Sequence, residues 1–144
     1  MECSVCKAKI IEIITQEWTE SHSGSTYYFV QNGDVWTSNN KNKNSSSAQS
    51  TFTITLSKNT NISIPWSVSS ENKWDKLTIT LDGVTKVDAV SGTKTGTITE
   101  TLSKGTHTLV AKYSKDGSGN SGSDTASITL SYKETEYIYE NTTE

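Results

Sequence analysis

The chain has 144 residues, a formal net charge of −3 and a single proline, which fits one domain with a real core and is too short for two ordinary ones. All 13 cations are lysine, and without the arginine fork or a clustered basic face a nucleic-acid partner is not expected. No segment reaches the roughly 20 apolar residues that span a bilayer, so membrane insertion is not expected.

Threonine (23 residues) and serine (22 residues) dominate, favouring strands and turns over helices. Residues 7–18 are β-branched and apolar on both parities, a pattern that fits a short helix but suits better a strand buried on two sides. Tyr27-Tyr28-Phe29-Val30, then Asn32-Gly33, then Val35-Trp36 reads as a hairpin, because Asn-Gly supplies the positive φ of a tight turn. Residues 37–50 are rich in Ser, Asn and Lys without periodicity, as in a solvated loop or an irregular strand. Beyond them a period of two is clear: Phe52, Ile54 and Leu56; Ile62, Ile64, Trp66 and Val68; Leu77, Ile79 and Leu81. Each run has one buried and one wet face. Pro65 places its strand at an edge or bulge, and Asp82-Gly83 marks a second tight turn. Leu109, Ala111 and Tyr113 alternate again, as do Ala126, Ile128, Leu130 and Tyr132. The expected fold is all-β: an antiparallel Greek-key or jelly-roll sandwich of about eight or nine strands. It forms one domain over 1–144, with an N-terminal strand or arm (1–18), the sandwich (19–133) and an acidic C-terminal tail (134–144).

Several runs carry a resemblance: Gly33-Asp34-Val35-Trp36-Thr37-Ser38, Ile64-Pro65-Trp66-Ser67-Val68, Trp74-Asp75-Lys76-Leu77, Leu102-Ser103-Lys104-Gly105-Thr106-His107, Tyr113-Ser114-Lys115-Asp116-Gly117-Ser118 and Ser123-Asp124-Thr125-Ala126. Together they resemble a jelly-roll accessory domain of bacterial surface proteins, phages and prophages, and more distantly CUB and MAM domains. The resemblance covers about residues 25–132 and implies a Greek-key sandwich with a non-catalytic role. In CUB domains three carboxylates gather around calcium, and the matching positions here are Glu71, Asp75 and Asp116, with Asp124 as a spare. Calcium needs several oxygens converging at about 2.3 to 2.6 Å, which loop carboxylates and carbonyls supply. The same acids also serve to cap turns, and the disulfides of CUB domains have no counterpart here.

Cys3 and Cys6 form a lone Cys-x-x-Cys, half of a zinc site and without the βαβ context of a redox motif, so two reduced thiols are the expectation. The only histidines, His22 and His107, meet no nucleophile elbow, phosphate loop or His-Glu-x-x-His run, so no catalytic residue is assigned and an enzyme is not expected. Trp18, Trp36, Trp66 and Trp74 with six tyrosines offer stacking faces for sugars. Parity places Trp66 in the core and leaves the other three undecided.

Two functions follow. The first is a non-enzymatic attachment protein of a bacteriophage virion (a decoration, fibre-base or tail-adaptor subunit), because the fold suits extracellular surfaces while the N-terminus shows no export signal, so that the chain is made in a bacterial cytosol. Its partners would be other virion subunits, held through terminal segments whose Ile11, Ile13, Tyr137 and Tyr139 are costly to leave in water. The alternative is a carbohydrate-binding or adhesin module that takes glycans on exposed aromatic rings. The N-terminal segment also fits a plain opening strand of the sandwich.

Overall fold

A computed structural model describes residues 9–140, and Cys3 and Cys6 lie outside them. The described chain is all-β: β1 (Ile10–Glu17), β2 (Thr19–Ser21), β3 (Phe29–Asn32), β4 (Val35–Ser38), β5 (Ser47–Leu56), β6 (Thr60–Ser69), β7 (Lys76–Leu81), β8 (Val84–Val90), β9 (Thr93–Leu102), β10 (Gly105–Ser114), β11 (Thr125–Thr129) and β12 (Lys133–Tyr139). One five-stranded sheet has the order β2-β5-β10-β7-β8 and the other β3-β4-β11-β6-β9, while β1 and β12 form a separate two-stranded ribbon. All pairings between named strands are antiparallel. No helix among the described residues is long and apolar enough to cross a membrane.

The alternating patterns place the core. Phe52, Ile54 and Leu56 of β5 and Leu109, Ala111 and Tyr113 of β10 are buried, and the two strands pair over their whole length from Gly105↔Leu56 to Ser114↔Ser47. Ile64 and Val68 of β6 and Ile128 of β11 close the core from the facing sheet. Trp66, expected wholly in the core, is only partly buried and packs at the margin of this cluster. Its ring lies over Gly96, where a Cβ would stand 2.5 Å from Cζ2; the glycine makes room for the indole.

Both tight turns form. Asp82 and Gly83 have φ of 50° and 80°, the paired left-handed residues a two-residue hairpin favours. In the other, Gly33-Asp34 makes the turn and Asn32 remains in the strand, paired with Val35.

Three expectations need correction. Among the described residues the strands number twelve against about eight or nine expected, because β8 and β9 are edge strands with few inward apolar residues. Pro65 sits on an interior strand: β6 pairs with β9 on one side, while its ladder to β11 ends at Trp66, next to the residue that has no N–H to extend it. Residues 10–15 form a strand, as expected, but one exposed on both faces; their partner is β12, not the sandwich. Only Gln16, bonded to Ser57, and Trp18 turn into the body of the domain.

Candidate functional site

Four connections meet at one end of the sandwich: residues 39–46 between β4 and β5, 70–75 between β6 and β7, 91–92 between β8 and β9, and 115–124 between β10 and β11. Backbone bonds lace them together. Ser45 N donates to Asp116 O (2.6 Å), Ser70 N to Gly92 O (2.9 Å) and Lys115 N to Ser46 O (2.8 Å). Ser70 Oγ donates to Asp75 O and accepts from Gly92 N, so one buried hydroxyl joins two of these loops.

Within this frame the three carboxylates that the sequence singled out come together: Glu71, Asp75 and Asp116 each offer an oxygen within 4.8 Å of the others. Asp75 is fully buried and doubly held. Its Oδ1 accepts Asp116 N at 3.0 Å and its Oδ2 accepts Lys115 Nζ at 3.1 Å. Glu71 carries a buried oxygen, Oε2, without a hydrogen-bond partner. Desolvation, then the neighbouring Asp116 and Asp75 carboxylates, push its pKa up against the opposing pull of the Lys115 ammonium. Gly119 lies against this group. A Cβ there would stand 2.2 Å from Glu71 Oε2, and its φ of 87° suits only glycine without strain. The chemistry of the trio, clustered carboxylate oxygens of which one has no donor, fits a hard cation of the calcium type.

Asp124 has a different task from the spare ligand expected. Its Oδ1 accepts Tyr113 OH at 2.8 Å and the Lys115 ammonium, and its Oδ2 accepts Asn42 N at 2.6 Å. Burial would raise its pKa, but the Asn42 N–H, Lys115 and Tyr113 outweigh it and hold the carboxyl below its ordinary value. Lys115 itself has no exposed side-chain surface and also reaches Asn120 Oδ1 at 2.9 Å. Burial alone would lower its pKa, yet its bonds to Asp124 and Asp75 raise it. This internal cation was missed in the sequence reading. The signal was present: Lys115 continues the inward parity of Leu109, Ala111 and Tyr113.

Beside the carboxylates, Trp74 leaves 58 % of its surface exposed, although its backbone is fixed in the turn by bonds from Trp74 N and Asp75 N to Glu71 O. Exposed Asn72 and Lys73 flank it, with Lys73 N held by Ser91 Oγ at 2.8 Å. The other indoles are packed: Trp18 is buried, and Trp36 meets Phe52 edge-on at 5.1 Å. The two histidines lie apart from this end's carboxylates. His107 has both ring nitrogens occupied, by Asp82 Oδ2 and Ser103 O, each at 2.6 Å. His22 is bound to Glu20 and stacks on Tyr28 at 3.7 Å.

A shallow groove of about 510 Å³ lies elsewhere, on the outer face of the second sheet, lined by Val35, Pro65, Trp66, Ser67, Thr95 and Thr97 among others. Its polar groups are the hydroxyls of Ser67, Thr95, Thr97, Ser127 and Thr129, and no charged side chain lines it, unlike the loop end.

The chain matches no family model and no curated protein. Among solved structures it is similar to a family 35 carbohydrate binding module from an environmental isolate (10 % identity, 88 % of this chain, 90 % of that chain, TM-score 0.40). It is also similar to the CBM35 from Paenibacillus barcinonensis (15 % identity, 80 % of this chain, 98 % of that chain, TM-score 0.35). At these values the likeness carries no argument about ligand or site.

Proposed function

We propose that this domain is a non-catalytic module that binds a glycan at its loop end, with Trp74 as the stacking face and the carboxylates of Glu71 and Asp116 as hydroxyl acceptors. The reading rests on the geometry of this chain, not on its likeness to the modules named above. One observation carries it: a large indole stands more than half exposed on a backbone hydrogen-bonded within its turn, at the rim of a carboxylate cluster. An aromatic ring in water with polar groups at its edge suits a partner that is apolar on its flat face and hydroxylated around its rim, which describes a sugar ring. A rigid platform lowers the ordering cost of binding. Calcium at Glu71, Asp75 and Asp116 would order the same loops and neutralise the excess carboxylate beside the indole. No observation above favours the virion role expected from the sequence over this one.

The test is a glycan array, followed by titration calorimetry on any positive, with wild type and Trp74→Ala, each with calcium and with chelator. Binding lost in Trp74→Ala at unchanged melting temperature supports the reading. A positive glycan that Trp74→Ala binds equally well contradicts it. A calcium-dependent rise in melting temperature, which Glu71→Gln abolishes, supports the cation site, because a ligand held only by the native state stabilises it by mass action. No shift at millimolar calcium removes the cation and leaves the stacking site to stand alone.

A further inference from the structure

The two faces of the β1–β12 ribbon differ in chemistry. Tyr137 and Tyr139 are two residues apart on β12 and share a face; their register partners Ile13 and Ile10 stand beside them on it. Ile11, left unpaired by the register shift between Ile10 and Glu12, adds a further apolar side chain at the ribbon's tip. Ile10, Ile13, Tyr137 and Tyr139 are each about half exposed and Ile11 is 63 % exposed. Toward the sandwich the same face continues with Thr15 opposite Thr135 and Glu17 opposite Lys133, and these last two pair at 3.7 Å. The opposite face takes Glu12, Gln16, Glu134 and Glu136 together with Ile14 and Ile138, and these two isoleucines are less exposed than the apolar residues of the first face.

We propose that the Ile10/Ile13/Tyr137/Tyr139 face is where two copies of this chain associate, ribbon packed against ribbon. An isologous contact sets a patch against its own image, so the patch must be apolar or carry balanced charge. This one is both, in a chain whose net charge is −3, because its one acid is matched by Lys133 and the unmatched acids lie on the other side. The apolar area is roughly 500 Å², at the upper end of what an ordinary monomer leaves open. Two such faces together bury about 1,000 Å², enough for a specific though modest interface. An anionic lipid surface fits poorly, since Lys9 and Lys133 are outnumbered along the ribbon by Glu12, Glu17, Glu134, Glu136 and Glu140. The contact is independent of the glycan reading, which concerns the loop end.

Sedimentation velocity of the whole chain from about 1 µM to about 300 µM tests it. Wild type is expected to pass from monomer to dimer across this range. Ile13→Glu and Tyr137→Lys are each expected to weaken the dimer about tenfold or more, while Glu136→Gln on the opposite face leaves it unchanged or tighter. Wild-type NMR needs no variant: the concentration-dependent shifts should centre on Ile10, Ile13, Tyr137 and Tyr139. A wild type that stays monomeric, a dimer that both face variants leave intact, or shifts centred outside the ribbon would overturn the proposal.

Discussion

Replacing Lys115 by Met removes the one cation inside the loop end while keeping most of the side-chain volume. The wild-type ammonium is wholly buried and donates to Asp75 Oδ2, Asn120 Oδ1 and Asp124 Oδ1. Its loss leaves two fully buried carboxylates, Asp75 and Asp124, with backbone and hydroxyl donors but no counter-charge. Breaking a buried pair from one side costs about 3 to 5 kcal/mol, a large share of the roughly 5 to 15 kcal/mol that holds a domain of this kind together. The melting temperature should fall by roughly 10 °C. Urea unfolding followed by tryptophan fluorescence reads the loss directly, with the slope against denaturant unchanged if the native state stays compact. The deficit should also shrink toward acid pH, where the stranded Asp124 carboxylate takes up a proton. In wild type the depressed Asp124 pKa means the opposite trend: its contribution is present above the ordinary carboxylate value and lost as pH falls through the folded one. Adding Asp75→Asn and Asp124→Asn to Lys115→Met should recover much of the loss, since neutral groups need no cation. A single-variant deficit under about 1 kcal/mol would refute the ion-pair account.

Truncating Leu109 to Ala, at the wholly buried centre of β10, should cost about 2 to 5 kcal/mol in the same assay, and a near-neutral result would contradict the assignment of the core. The His107–Asp82 pair should make stability fall at alkaline pH. Its bond to Asp82, working against burial, raises the His107 pKa above 6.5, so its contribution is full below that ordinary value and lost as pH rises through the higher folded one. Asp82, whose pKa is lowered from 3.8 against the effect of burial by its bonds to His107 and Thr108 N, loses its contribution as pH falls. Stability measured from pH 5 to about pH 9 should therefore decline more steeply in wild type than in His107→Gln; parallel curves would show that the pair is not linked to folding.

Much of the fold was legible because period-two alternation survives wherever a strand has one wet face. The inward sets of β5, β7, β10 and β11 were read residue by residue, and Asp82-Gly83 marked its hairpin. The edge strands were not legible. β8 buries little beyond Val87, and β9 has only Ile98 and Leu102 facing inward among its threonines, so their alternation is faint. β1 misled for another reason: apolar residues on both parities read as double burial, whereas pairing with β12, more than a hundred residues away, leaves them exposed. At the loop end the trio Glu71, Asp75 and Asp116 came from the resemblance, and its convergence depends on Gly119 making room for the Glu71 carboxylate. Lys115 was overlooked because a lysine is taken by default as solvated, even where the alternation of the strand that ends just before it carries it inward.

The most direct measurement of the central claim is an NMR titration of the isotope-labelled chain with a glycan that an array returns as positive, recording backbone amides and the indole Nε1–H groups. The expected result is a set of saturable shifts at Trp74 Nε1–H and the amides of residues 71–75 and 115–119, with the other three indoles unmoved. Shifts centred on Ser67, Thr95, Thr97 and Ser127, or no saturable shift for any glycan, would contradict it.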